Sequence, residues 1–255
     1  MTLSVAVITY NEEANIGRLL ESTRPADEHI VLDCGSTDRT LEIARSFGAR
    51  TFTEKWKGYS AQKNSAIEKA TGDWVLSLDA DEAVESELMQ EICQVLNRNP
   101  AVSGYYIPRK NYFLGRWIRH GGFYPDRKLR LFRRGRGRFG ERPVHEVVQV
   151  DGPTGMLNHA LVHNAYPTLD AYITHMNRYS SLGAEIVAAD SGFSVLNIVV
   201  NPLATFVYNY FFRLGLLDGR EGLLLNLYHS VYVSWKYAKA WERARTPQSP
   251  SGLSS

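Results

Sequence analysis

Asp79 and Asp81 flank Ala80 at the end of the apolar run Leu76-Ser77-Leu78, and Glu82 follows directly. Side chains two apart along a strand share a face. If strand geometry persists through Ala80, both carboxylates aim at one point. Two such carboxylates can hold a divalent cation and, through it, a phosphate-bearing ligand. Asp-X-Asp is also common in turns, so its meaning rests on what else reaches the same end of the same sheet.

Three further clusters could do related chemistry. Asp33, in Asp33-Cys34-Gly35-Ser36-Thr37-Asp38, is acceptor-only when ionised and could select a base that offers an imide N–H, as uracil and thymine do. It could equally open an Asx turn, with Asp38 a first-turn acid favoured by the helix dipole. Thr9-Tyr10-Asn11-Glu12 offers an aromatic face for base stacking, with Asn11 as a helix cap. In Gln62-Lys63-Asn64, a lysine at a helix start can balance phosphate charge; a solvated surface turn is the alternative. A carboxylate base is also needed for glycosyl transfer or hydrolysis. Glu141 and Glu146, flanking Arg142-Pro143-Val144-His145, are the candidates. His145 is a metal ligand or a hydrogen-bonded structural group. A Walker lysine motif and a Gly-X-Ser-X-Gly elbow are absent.

The elements that must position these residues alternate. Strands are expected over 3–9, 30–32, 50–52 and 74–78. Helices are expected over 12–22, 37–47, 60–70 and 86–96, from apolar spacing such as Ile16, Leu19 and Leu20. Such alternation predicts an α/β fold with a parallel sheet covered by helices on both faces. Ligands then bind outside the carboxyl ends of the strands, where Thr9–Glu12, Asp33–Asp38 and Asp79–Asp81 all fall. Further strands are expected at 105–107 and 128–132, and a helix over 170–189. The stretch 191–212 carries no charge but holds Asn197, Asn201, Asn209 and Pro202, which argue against a spanning helix. A polar hinge at 218–222 and a helix over 223–241 follow. The two apolar helices suit a membrane surface, a core or a dimer face. The expected division is 1–165 for a nucleotide-binding and catalytic domain, 166–245 for a helical extension, and 246–255 for a disordered tail.

The 255 residues, 44% hydrophobic and 22% charged, suit a folded domain with an appendage. Two cysteines, Cys34 and Cys93, are too few for a disulfide framework and fit a reducing cytoplasmic setting. The first residues hold no basic region and no signal-peptide apolar core, which also fits. The formal charge of +2 hides an asymmetry: residues 109–142 hold twelve Lys/Arg against two acids. That basic segment suggests an anionic partner, or else a solvated face.

Val7-Ile8-Thr9-Tyr10-Asn11-Glu12-Glu13, Asp33 to Asp38, Gln62-Lys63-Asn64 and Leu78-Asp79-Ala80-Asp81-Glu82 together resemble family 2 inverting glycosyltransferases in order and spacing. Arg130-Leu131-Phe132-Arg133-Arg134, Pro143-Val144-His145-Glu146, Leu217 to Gly222 and Tyr237-Ala238-Lys239 are similar to the lipopolysaccharide core β-1,4-glucosyltransferase subgroup. The resemblance implies a GT-A fold, a UDP-sugar donor and Mn²⁺ or Mg²⁺. It gives Asp33 the uracil, Thr9 to Glu12 the near wall of that pocket, and Lys63 and Asn64 the length of the donor. Ser36, Asp38 and Ala80 belong to the same donor-binding motifs. Asp81 becomes the metal ligand; Asp79 tends toward the ribose and is the second candidate ligand. Glu146 is the implied base with Glu141 in reserve, because the Glu-Asp pair of many relatives is absent. The implied acceptor is a phosphorylated glycolipid or glycan such as lipopolysaccharide inner core. The implied place is the inner face of the cytoplasmic membrane, with no nucleic-acid partner and a homodimer as an option. The rival classes are a nucleotidyltransferase, which wants a glycine-rich loop after the first strand, and an anion- or RNA-binding module, which leaves Asp79 and Asp81 unexplained.

Overall fold

The computed structural model describes residues 1–140, 147–189 and 194–245. The chain forms two compact units, Met1–Tyr112 with Tyr124–Ala165, and Phe113–Phe123 with Tyr166–Ser255. The segment 113–123, expected in the first domain, joins the second. Its Phe113 and Ile118 are buried with Tyr172, Met176 and Leu225.

In the first unit, β1 (Leu3–Thr9), α1 (Ile16–Ser22), β2 (Glu28–Asp33), α2 (Thr40–Ser46), β3 (Arg50–Thr53), α3 (Tyr59–Glu68) and β4 (Trp74–Asp79) alternate as the apolar spacing predicts. There follow β5 (Glu82–Val84), α4 (Ser86–Asn97), β6 (Gly104–Ile107) and β7 (Arg109–Phe113). Strand β8 (Arg116–Trp117) belongs to the second unit. The first unit resumes with β9 (Lys128–Arg133), β10 (Gly137–Phe139), β11 (Val148–Val150), β12 (Thr154–Met156) and β13 (Leu161–Tyr166).

The central sheet has the order β12-β6-β9-β4-β1-β2-β3. Strands β4, β1, β2 and β3 run parallel, while β9 is antiparallel to both β4 and β6. Both faces are covered. On one, Leu19 and Leu20 of α1 and Leu88, Ile92 and Leu96 of α4 pack on Val5, Val7, Leu76 and Leu78. Residues 88, 92 and 96 recur every four, one stripe of a helix. On the other face, Ala66 and Ile67 of α3 meet Ala6, Ile30, Leu32 and Val75. Strand order reverses between β1 and β4, the crevice where open α/β sheets bind ligands. Register sets Thr9 against Asp33 and Ile8 against Asp79, so these polar residues end at one level.

Beside this sheet, β13 pairs antiparallel with β5, setting His163 opposite Glu82. The run Gly135-Arg136-Gly137-Arg138-Phe139-Gly140 carries Gly-X-Gly-X-X-Gly spacing. It leads from β9 into β10, strand to strand, so it lacks the strand-to-helix setting of a dinucleotide fingerprint.

In the second unit, α5 (Leu169–Ala189) and α7 (Gly219–Arg245) bury Tyr172, Met176 and Leu225 together. Between them lie α6 (Asn197–Val207), a π-helical turn Tyr208–Phe212 and a 3-10 turn Gly215–Asp218. The expected hinge at 218–222 is not one. Asp218 is buried, accepts hydrogen bonds from the backbone N–H groups of Arg119 and His120, and contacts His120 Nδ1 at 3.0 Å. Helix α7 begins at Gly219.

Candidate active site

Two loops at the carboxyl ends of β1 and β2 are tied to each other. Asn11 takes a left-handed backbone, φ 54°, which stops the helix expected from residue 12. Helix α1 starts at Ile16, and Asn11 is therefore no helix cap. Its backbone N–H instead donates to Ser36 Oγ at 2.8 Å, and its Oδ1 accepts from Thr37 N at 2.9 Å. Glu12 N donates to Thr40 Oγ1, and Glu13 N to Asp38 Oδ2. Asp38 also accepts from Thr40 N and Thr40 Oγ1, ahead of α2, which runs over Thr40–Ser46.

Asp33 organises the second loop. Gly35 holds φ 102°, a conformation open to glycine, and this turns two N–H groups inward. Asp33 Oδ2 accepts from Gly35 N and Ser36 N, both at 2.8 Å; Oδ1 accepts from Thr9 Oγ1 and Ser36 Oγ. All four acceptor positions are used, and the side chain is buried. Direct contact with a uracil N–H thus requires one hydroxyl to give way. Tyr10, 61% exposed, is the open surface of this pair of loops.

Asp79 and Asp81 separate. Asp79 Oδ1 meets Lys63 Nζ at 2.6 Å, and Oδ2 is held by Arg130 Nη2. Burial pushes the Asp79 carboxyl up, but Arg130 and Lys63 outweigh it and hold the group well below the usual range. With both oxygens on cations, Asp79 is not a free metal ligand, contrary to that part of the sequence expectation. Lys63 is buried against Asp79 and over the Phe139 ring, which rules out the solvated surface turn that the sequence also allowed. Asn64 is also engaged elsewhere. Its amide accepts from Phe139 N at 2.8 Å and donates to Phe139 O at 3.0 Å, imitating a strand partner for β10. Ala80 is buried between the two acids.

Residues that sequence reading passed over complete this scaffold. Glu82, fully buried, accepts from Asp79 N at 3.0 Å, Arg130 Nη2 at 2.9 Å and Arg109 Nη1 at 3.2 Å. Arg109 continues to Asp126 at 2.6 Å. Asp126 lies at about 2, burial being outweighed by Arg109 and Lys128. Much of the basic segment is therefore structural: Arg109, Lys110, Arg130 and Arg136 all pair with carboxylates.

Asp81 is built differently. Its backbone carbonyl accepts from Arg18 Nη2 and Asn164 N, which fixes the loop. Its Oδ2 faces His163 Nε2 at 3.1 Å. The other ring nitrogen, Nδ1, lies 2.7 Å from Asn111 Oδ1, and Asn111 Nδ2 points to Asp126 Oδ2 at 3.4 Å. This amide orientation makes Nδ1 the donor. In a neutral ring Nε2 then presents a lone pair to a carboxylate oxygen. Two acceptors facing each other call for a proton or a cation between them. Imidazole with an outer hydrogen bond beside a carboxylate is a standard metal-ligand donor set. Asp81 and His163 therefore fit a divalent cation as a two-residue contribution; among the described residues no group of three or more His, Cys, Asp or Glu is arranged to hold one. His163 sits in β13, 82 residues from Asp81. A histidine within the otherwise largely apolar run Leu161-Val162-His163 was the one available signal.

The mouth of the site is acidic. Glu12 is pushed up by burial, against a hydrogen bond from Asn15, and further up by Asp81, Asp38 and Asp79. A negatively charged mouth repels a diphosphate unless a cation accompanies it. Glu141 and Glu146, the candidate bases, lie outside the described residues.

Comparison with known proteins shows the family and the fold. The family profile described as "Glycosyl transferase family 2" matches residues 4–156. Lipopolysaccharide core biosynthesis glycosyltransferase LpsC of Rhizobium meliloti (strain 1021) is 30% identical over 95% of this chain and 93% of its own length. An uncharacterized glycosyltransferase of Rickettsia typhi (strain ATCC VR-144 / Wilmington) is 30% identical over 87% of this chain and 80% of its own. Among solved structures, S. aureus TarS 1–349 in complex with UDP-GlcNAc aligns with a TM-score of 0.50 at 18% identity, covering 96% of this chain and 90% of that one, a likeness of fold. The architecture is GT-A with a helical C-terminal extension. With its polar strand ends meeting where the sheet order reverses, this chain belongs to glycosyltransferase family 2.

Proposed function

We propose that this protein is a metal-dependent inverting glycosyltransferase that moves a hexose, glucose by preference, from a uridine-diphosphate sugar to a membrane-borne glycolipid at the inner face of the cytoplasmic membrane. The similarity to LpsC, named for lipopolysaccharide core biosynthesis, supports a lipopolysaccharide core acceptor, which we read as inner core. The observation that carries the reading is the Asp81–His163 pair, a carboxylate oxygen and an imidazole nitrogen 3.1 Å apart just past the carboxyl end of β4.

In this reading Tyr10 stacks on the base, and the Asp33 loop shapes the pocket around it. Ser36 yields its contact with Asp33 to the imide N–H. The Lys63–Asp79–Arg130–Glu82 network keeps the loop before Asp81 rigid and neutral. Asp81 and His163 would hold the cation, which when bound supplies Lewis-acid stabilisation of the diphosphate. Glu146, with Glu141 in reserve, accepts the proton of an acceptor hydroxyl. That oxygen bonds to the anomeric carbon from the face opposite the diphosphate, and the bond to the diphosphate oxygen breaks with inversion.

Titration calorimetry of UDP with and without Mn²⁺ tests the site without turnover. Wild type should bind more tightly with Mn²⁺. Asp81→Asn and His163→Ala should each lose about 10–100-fold of that gain. UDP binding indifferent to metal, or Asp81→Asn with a full metal response, would refute the assignment.

A further inference from the structure

Residues 194–212 carry no charge, and the second unit leaves much of this stretch uncovered. Helix α6 lies beside α7, where the Ile198 backbone oxygen accepts from Ser234 Oγ at 3.0 Å. Leu196, Val199, Leu203, Val207 and Phe211 recur at helical spacing, all exposed; Leu196 is 71% and Leu203 63% open. No residue of α6 is buried. The stripe runs into Tyr208, Phe211 and Phe212 of the π-helical turn, Phe212 being 75% exposed. A contiguous apolar face of this kind marks an interaction surface.

Among the described residues of 194–220, the exposed charges are both arginines. Arg213 and Arg220 are exposed. The nearby acids are engaged: Asp218 is buried on the Arg119 and His120 N–H groups, and Glu221 lies 3.5 Å from Arg116. Apolar and aromatic side chains beside an exposed Arg220, and an exposed Arg213 whose guanidinium lies over the Tyr208 ring and against Gly122, match a bilayer interface carrying anionic headgroups. Among the described residues of 194–220, a second copy of this surface would offer those guanidiniums no exposed carboxylate. Among the described residues no helix is long and apolar enough to cross a membrane. Helix α6, with 11 residues, spans about 16 Å against a hydrocarbon core of about 30 Å.

We propose that α6 and the π-helical turn dock this unit onto an anionic phospholipid surface, lying in the interface with Arg213 and Arg220 at the headgroups. The proposal rests on the reading that the acceptor is membrane-borne, and it names the surface and the headgroup charge that reading leaves open.

Vesicle co-sedimentation of the full chain tests it, with phosphatidylcholine vesicles that contain or lack phosphatidylglycerol. Wild type should sediment with the anionic vesicles, and less as salt rises. Leu203→Asn and the double variant Phe211→Ser/Phe212→Ser should weaken partitioning about tenfold or more. Arg220→Glu should cost about fivefold or more on anionic vesicles, with little effect on neutral ones. Because these side chains are exposed, thermal unfolding of the variants should match wild type. Wild type that ignores both vesicles, or variants that sediment like wild type, would overturn the proposal. So would a wild-type dimer that Phe211→Ser/Phe212→Ser dissolves in the absence of any vesicle binding. Hydrolysis of a UDP-sugar panel without vesicles separates the two readings. The docking variants should hydrolyse donor as wild type does. A wild type that binds vesicles but neither binds nor hydrolyses any donor would sink the transferase reading alone.

Discussion

Arg130→Met is the sharpest perturbation of the scaffold. Arg130 is 5% exposed, and its Nη2 bridges Asp79 and Glu82, of which Glu82 is fully buried. In wild type four cations, Lys63, Arg130, Arg109 and Lys128, interleave with three carboxylates, Asp79, Glu82 and Asp126. The substitution nearly keeps the volume and removes the one cation that Asp79 and the buried Glu82 share, leaving Asp79 with Lys63 and Glu82 with Arg109 alone. Removing one partner of a buried ion pair costs about 3–5 kcal/mol, because the remaining charge stays desolvated. At about 2–4 °C per kcal/mol for a domain of this size, the midpoint should fall about 6–20 °C. Guanidinium unfolding should show the loss as a lower midpoint at unchanged slope. Glu82→Gln added to Arg130→Met removes the buried charge that lost this partner, so the double variant should lie about 1–3 kcal/mol above the additive sum. An Arg130→Met protein within about 1 kcal/mol of wild type, or a strictly additive pair, would show that the network does not hold this loop.

Other expectations concern separate parts of the molecule. Burial, with Lys236 adding to it, pushes His229 down to about 4 from its ordinary 6.5. The stability of keeping it neutral is complete above about 6.5 and is lost as pH falls through about 4. His229→Phe, beside Phe123 at 5.7 Å, should flatten the melting temperature across that window; an unchanged slope would place the titration elsewhere. Tyr10→Ala should weaken UDP binding by about 1–3 kcal/mol at unchanged stability, with Tyr10→Phe near wild type. Equal affinity for all three by calorimetry would remove the stacking role. Glu146→Gln should retain donor binding and lose transfer; if Glu141→Gln alone abolishes transfer, the base is the other acid.

The parallel half of the fold was legible because its signals are local. Apolar runs ending in polar residues marked β1, β2 and β4, and four-residue spacing marked α4. The polar strand ends followed from parallel order alone. Element starts were less legible. Asn11 looks like a helix cap, yet its left-handed backbone reaches across to Ser36 and Thr37, and α2 begins at Thr40 rather than Thr37. Lys63 and Asn64 have the right types for a phosphate, but their partners, Asp79 and the β10 backbone, come from strands that local pattern does not pair with α3.

Sequence by itself determined that the chain folds around a largely parallel sheet with acids at its carboxyl edge. Strand period, helix period and residue chemistry carry that much within a few residues. Tertiary structure decided what each acid faces. The antiparallel strand β9 brings Arg130 to Asp79 across 51 positions, and β13 brings His163 to Asp81 across 82. Contacts at that separation depend on which strands pair and in what register, a choice made by the whole core and written in no local window. Two aspartates spaced as one motif thus took different partners, Asp79 between two cations and Asp81 beside a histidine.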